Sequence, residues 1–483
     1  MIESKTFRVC VVTIAVLGLA AAIFFRGQGH NPPGFFVDES SIAFNALTIA
    51  RDGVDEFGTP YPLFFKAFGE YKNPVYIYLL AAVWKVAAPS NLMARRFSAL
   101  LGFAAASILG WLGWRIARRH WIALATFLTA LFMPNLFEVS RLVFEVALYP
   151  LVLALFLWAA YAAFARERWS TALVSVLAVS LAALTFTYTI GRLHAPLLLA
   201  ALCIFAFRRE RRLAIAALVI LYAALAIVPL IVFNRTHDGA LSRRPQQVSY
   251  VSELRDEPKA LIETFAKHYI ADIDPIESVT KGDPNARHHV PGSGGSVLAM
   301  SFVLAAIGAV EAIRRRDRWW LFVLASALLS VIPAALTKEL HHSLRLIPFP
   351  ILLIVLSIPA LERMRERGAM RIAIAAALVI GLAQVGWFLF HYQRDGWNRD
   401  TDFNTGYGQV LADVEARHPP VIDLMGTTYI HGYWYGAQLG IDRSRFNTVW
   451  NERSKSVVIT WWWTPCRGQV ISRHGLFTAC VRE

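Results

Sequence analysis

Two adjacent carboxylates, Asp38 and Glu39, open the polar part of a chain that is otherwise mostly apolar. They follow the first hydrophobic run and precede a helix-forming stretch that reaches Arg51. Adjacent residues do not share a helix face, so the two do not make a glycosidase dyad. One of them can serve as a lone general base, taking a proton from an acceptor hydroxyl or amine. The competing reading is a carboxylate that caps a helix starting near Ser40. Glu70 and Lys72 follow in the run Gly69-Glu-Tyr-Lys-Asn-Pro74. A lysine at a helix entrance, beside free backbone N–H groups, suits a phosphate. A lone interfacial lysine also snorkels to headgroups, which is the commoner case.

Four further groups carry chemistry-bearing side chains. Arg141 and Glu145 stand four apart and would pair on a helix. Arg192 closes the run Thr187-Tyr-Thr-Ile-Gly-Arg. The run Lys281-Gly-Asp-Pro-Asn-Ala-Arg-His-His-Val-Pro-Gly292 joins turn formers to Arg287, His288 and His289, with His268 upstream. Histidine and carboxylate together suit a divalent metal, although no HxxxH or CxxC spacing is present. Last, His341-His-Ser-Leu-Arg345 brings His342 and Arg345 to a span entrance, where an arginine can grip a phosphate.

The elements that must position these groups are membrane helices. Of 483 residues 56% are hydrophobic and 17% charged, and the mean hydropathy is +0.45, values of a polytopic membrane protein and not of a soluble enzyme. Apolar runs near 9–25, 97–114, 121–137, 145–164, 171–188, 193–207, 213–233, 297–313, 319–336, 346–361 and 372–390 give about eleven spans. The formal charge of +14 does not signal nucleic acid, because the basic residues sit in short clusters between spans. Lys5/Arg8, Arg115/Arg118/Arg119, Arg166/Arg168, Arg208 to Arg212, Arg314 to Arg318 and Arg363/Arg365/Arg367/Arg371 fall on one side. Only Arg141, Arg192, Lys338 and Arg345 occupy the opposite short loops. The asymmetry predicts a cytoplasmic N-terminus and an extracytoplasmic face carrying every group named above.

It also predicts that the short segment 75–88, which carries Lys85, lies at the interface and does not cross. The expected domains are a transmembrane domain over 1–390 and a soluble α/β domain over 391–483, outside the membrane. Within the first, loops 26–96 and 234–296 are extracytoplasmic. The tail reads as helices near 404–417 and 429–439 with strands near 420–425, 456–463 and 469–482. Its Cys466 and Cys480 can bond if the tail is outside the cytoplasm. Its aromatic runs, Tyr433 to Tyr435 and Trp461 to Trp463, suit sugar stacking or strand packing. P-loop, Rossmann and zinc-protease motifs are missing, and no charge falls in mid-span, which argues against an ion-coupled transporter.

As a set, Asp38-Glu39, Glu70 to Pro74, Ser140-Arg-Leu-Val-Phe-Glu145, the Gly282 to His288 run and His342-Ser-Leu-Arg345 resemble the GT-C glycosyltransferases. More narrowly they resemble bacterial proteins like the dolichyl-phosphate-mannose–protein mannosyltransferases and the lipid A aminoarabinose transferases. The resemblance covers essentially residues 1–390. It implies an all-α polytopic GT-C fold in the bacterial inner membrane, and a sugar donor carried on a polyprenyl phosphate. The acceptor would be a lipid, a cell-wall glycan or a protein. Asp38, beside Glu39, would be the general base of an inverting transfer. Lys72 and Arg345 would hold the phosphate, with Arg141, Arg192, Arg287 and His342 as further substrate ligands. Glu70 and His268 would hold a divalent metal. A non-catalytic lipid-linked sugar flippase or a membrane assembly factor of the same fold is the alternative.

Overall fold

The computed structural model describes residues 2–365, 368–449, 456–466 and 468–482. Arg367 of the last basic cluster lies outside them, as do the side chains of residues 2–10, Arg365 and Arg482. The chain forms two compact units that do not follow the linear division near residue 390. One comprises 1–26, 98–140 and 145–392; the other gathers 27–97, 141–144 and 393–483.

In the first unit a helix occupies each of the remaining predicted apolar runs. Five helices are long and apolar enough to cross a membrane: Asn91–Ala117, Glu145–Phe164, Arg209–Thr236, Arg318–Ala335 and Ala369–Asp395. Shorter apolar helices include Val11–Phe25, His120–Phe132, Thr171–Thr187, Gly191–Ala206 and Pro348–Glu362. The most apolar window of Glu145–Phe164 is 72% buried, against 17% for Arg209–Thr236, so the first is a central helix and the second presents its side chains outward. That outer helix carries a π turn at Ala223–Ile227, just before Pro229, whose missing N–H and bulky ring displace the regular bonding pattern. Helix Ala299–Arg315 meets Pro348–Leu356 through Gly308, where a Cβ would stand 1.8 Å from the Leu356 carbonyl oxygen. Small residues at such crossings let backbones approach closely.

The second unit is built on a five-stranded sheet of order β4-β3-β5-β7-β6. Its strands are β3 (Ile422–Leu424), β4 (Phe446–Asn447), β5 (Val457–Trp461), β6 (Gly468–His474) and β7 (Phe477–Arg482). Strand β3 runs parallel to both β4 and β5, and helix Tyr429–Leu439 makes the crossover that a parallel pair requires. The predicted final strand is a hairpin, because Gly475 at φ +51 reverses the chain between β6 and β7. Val410, Leu411 and Val414 of helix Tyr407–Glu415 cover the sheet on Ile422, Ile459 and Phe477. Cys466 and Cys480 are disulfide-bonded.

The first loop folds into this same unit. Helix Val37–Asp52 packs on helix Pro74–Trp84 and on helix Tyr429–Leu439. Trp434, fully buried, fixes that packing: its ring lies 6.0 Å from those of Phe35 and Trp84, and its Nε1 donates to Asn91 Oδ1 at 2.7 Å. Tyr433 and Tyr435 are therefore helix-packing residues, whereas Trp462 and Trp463 after β5 are about half exposed. Helix Pro74–Trp84 has 11 residues. At 1.5 Å per residue it reaches about 16 Å, half the hydrocarbon thickness, and cannot cross.

Gly308→Ala should lower the stability of the detergent-solubilised protein by about 1–3 kcal/mol. Gly18→Ala, where no atom lies within 4 Å, should leave it unchanged. Thermal unfolding checks both, and equal midpoints would refute the crossing.

Candidate active site

The adjacent carboxylates take different roles. Glu39 is fully buried and caps the helix Val37–Asp52: its Oε2 accepts the Phe36 backbone N–H at 2.8 Å. The same carboxylate accepts Arg95 Nη2 at 3.0 Å and Nε at 3.3 Å, and the Val143 N–H at 3.0 Å. With every lone-pair direction engaged, Glu39 has no capacity left to take a proton from a substrate. Its contacts are those of a helix cap and a buried ion pair. Asp38, one residue earlier on the first turn, points elsewhere. Its side chain is 36% exposed and its Oδ1 receives the Lys72 Nζ at 2.6 Å.

Lys72 reaches Asp38 from a strand, not from the helix entrance that the sequence suggests. Phe65–Ala67 (β1) and Glu70–Lys72 (β2) form an antiparallel hairpin. Its two turn residues, Phe68 and Gly69, both have positive φ (52° and 81°), the twist that suits a two-residue connection. The ammonium also lies 5.8 Å from the centre of the Phe68 ring. Glu70, at the other end of β2, is half-buried.

Two groups that sequence reading missed border this pair. Glu56 is buried, accepts the Tyr429 hydroxyl at 2.9 Å and sits 3.4 Å from Asn45 Nδ2. Burial pushes its carboxyl up to about 7, against the Tyr429 hydrogen bond and the charges of Lys72 and Arg443. Ser40 bonds His431 Nδ1 at 2.7 Å, and burial holds that imidazole down near 3, hence neutral. Nothing in the sequence around Glu56 or His431 marks them, since their partners lie hundreds of residues away.

The other predicted groups divide between the units. Arg141 is buried in the second unit, on the non-helical segment 141–144, so the expected helical spacing to Glu145 is not realised. In the first unit Arg192 donates to the Leu241 carbonyl at 3.3 Å. Asn285 Oδ1 receives the Arg287 N–H at 3.1 Å and lies 3.4 Å from its Nε. Arg345 donates to Thr337 Oγ1 at 2.9 Å and pairs with Glu339 at 2.8 Å. His289 is clamped between Glu138 (2.6 Å) and the Gly294 carbonyl (2.7 Å). Burial works to lower its proton affinity, but the Glu138 carboxylate outweighs that and raises it. Glu70 belongs to the second unit and His268 to the first, where its ring lies against Tyr250. Among the described residues, Asp283, His288 and His342 form a group that could hold a metal ion.

No protein-family model matches the chain, and no curated protein sequence does. Solved structures do. The aminoarabinose transferase ArnT from Cupriavidus metallidurans bound to undecaprenyl phosphate aligns with a TM-score of 0.61 at 11% identity, over 98% of this chain and 97% of that one. Its apo state aligns with a TM-score of 0.60 at 12% identity, over 99% and 98%. An oligosaccharyltransferase from Archaeoglobus fulgidus in complex with Zn and sulfate aligns with a TM-score of 0.52 at 12% identity, over 88% of this chain and 61% of that one. The chain has the GT-C fold. The chain thus shares its fold, tail included, with ArnT over nearly the full length of both.

Two outcomes follow for this chain. Arg95→Met leaves the buried Glu39 charge unpaired and should cost about 3–5 kcal/mol, read by thermal unfolding in detergent; an unchanged midpoint would contradict it. The native state binds the Glu56 proton more tightly than the unfolded chain. Stability should therefore fall as pH rises from 4.5 through 7, by roughly 3 kcal/mol in all. Glu56→Gln should flatten that slope, and an unchanged pH profile of the unfolding midpoint would exclude Glu56 as its source.

Proposed function

We propose that this protein transfers a sugar from a polyprenyl-phosphate-linked donor to an extracytoplasmic lipid, glycan or protein acceptor, with inversion. The observation that carries the reading is the Asp38–Lys72 contact: a base and a phosphate-binding cation joined at 2.6 Å on a partly exposed surface, held by buried Glu39. In ArnT the same fold binds undecaprenyl phosphate, which supports a lipid phosphate as the group Lys72 meets.

Asp38 accepts the proton of the acceptor hydroxyl or amine as its oxygen or nitrogen attacks C1 of the sugar. The C1–O bond to the phosphate breaks and the electron pair leaves with the polyprenyl phosphate. Negative charge grows on that leaving group, so a cation stabilises the transition state and no acid is needed to protonate it. In this structure Lys72 occupies Asp38 Oδ1. A donor phosphate that draws Lys72 away releases the carboxylate, which ties base activation to donor binding. The positive-inside pattern supports a cytoplasmic N-terminus with about eleven spans. The Cys466–Cys480 bond supports a tail outside the cytoplasm.

Mass spectrometry of envelope glycolipids, glycans and proteins from a deletion strain should show the loss of one glycosylated species. The wild-type gene should restore it. Asp38→Asn should not, since loss of a general base costs about 10²–10⁴ in rate; full restoration by Asp38→Asn would reject the mechanism. Lys72→Ala should raise the donor concentration needed for half-maximal transfer in a membrane preparation, and an unchanged donor response would remove Lys72 from the site.

A further inference from the structure

We propose that Asp283, His288 and His342 form a divalent-metal site, best suited to Zn2+, in the membrane unit. The site is distinct from the Glu70/His268 pair that the sequence resemblance implied.

The three side chains come from two loops that the fold ties together through the carboxylate itself. Asp283 opens the Gly-Asp-Pro-Asn turn, with its Oδ1 accepting the Asn285 N–H at 2.8 Å. Its Oδ2 accepts the Ser343 N–H at 2.7 Å, which fixes the neighbouring His342 beside the turn. The His288 Nδ1 lies 3.0 Å from the same Oδ2, and the rings of His288 and His342 stand 4.7 Å apart, centre to centre. One donor atom from each residue falls within 4.8 Å of the other two. For metal–ligand bonds of about 2.0–2.1 Å in a tetrahedral arrangement, neighbouring donor atoms are roughly 3.3 Å apart. The carboxylate–His288 edge already has nearly that length, and a small turn of the His342 ring closes the others.

An internal hydrogen bond accounts for Asp283 and His288 but not for His342. The His342 Nδ1 is buried and has no hydrogen-bond partner, as is the adjacent Ser343 Oγ. Leaving such an atom unsatisfied costs about 1–3 kcal/mol. The opposite ring nitrogen, Nε2, faces the Glu339 carboxylate at 3.6 Å. That distance is just beyond a hydrogen bond; closed to one, it would fix the tautomer and orientation of a metal-binding histidine and leave the other lone pair for the ion. Glu339 also pairs with Arg345, so it is itself oriented. Two imidazoles and one carboxylate are a borderline-soft donor set that suits zinc, with a fourth position for water.

The test uses the full chain purified in detergent. Metal analysis by mass spectrometry should find about one zinc per chain. After stripping with a chelator, titration with Co2+ should give the visible d–d absorption of a tetrahedral nitrogen/oxygen site. Asp283→Asn and His342→Ala should abolish that band, Glu339→Gln should weaken Co2+ binding about 10-fold, and Glu70→Gln and His268→Ala should leave it as it is. Absence of both zinc and a Co2+ band in the wild type would overturn the proposal. So would wild-type Co2+ affinity in His342→Ala. If the substituted chains fail to fold, the wild-type spectrum alone decides. Neither readout involves sugar transfer, so the metal site and the transferase reading stand or fall separately.

Discussion

The buried pair of Glu39 and Arg95 is the constraint on which the rest of the second unit depends. Two charges taken out of water are tolerated only where their remaining hydrogen-bonding directions are filled. Here the Phe36 and Val143 N–H groups fill those of the carboxylate. One side chain thereby fixes where helix Val37–Asp52 begins, anchors segment 141–144, and holds the start of the helix that contains Arg95. Because the helix start is fixed, Asp38 is fixed too, turned about 100° away around the helix axis. The helix N-terminus contributes its partial positive charge to both carboxylates.

The membrane unit solves a different problem. Its helices gain little from hiding apolar surface, since lipid is as apolar as they are, so close packing at small residues such as Gly308 replaces the hydrophobic effect. Several of its ionisable groups meet in short hydrogen-bonded networks around Asp283, Glu138 and Arg345. Each unit therefore holds these groups by specific hydrogen bonds and ion pairs between residues far apart in sequence.

Much of this organisation is written in local sequence. Apolar runs of sufficient length announce membrane helices, and the Asp38-Glu39 pair and the Gly282 to His289 run stand out by composition alone. What could not be read is partnership over long sequence distance. Which of the two carboxylates is free depends on Arg95, 56 positions on. The hairpin that carries Lys72 has three-residue strands, too short for alternation to register. Glu56 is one acidic residue among many until Tyr429 is brought against it. The histidine cluster needed His342, which the sequence had assigned to phosphate. The first loop's membership in the tail unit rests on Trp434, a residue that reads equally well as a sugar-stacking aromatic.

That shared unit has a consequence for how the protein is made. Residues 27–97 leave the ribosome first among its parts, and β7, which sits between β5 and β6 in the sheet, leaves last. At about 5–20 residues per second, the loop that carries Asp38 waits on the order of twenty seconds to a minute for the strands that complete its unit. Throughout that interval Phe44 and Trp84 lack their ring partners Tyr433 and Trp434. The unit that carries Asp38 is complete only once β7 has been made, so a chain that stops early lacks the strand that joins β5 to β6.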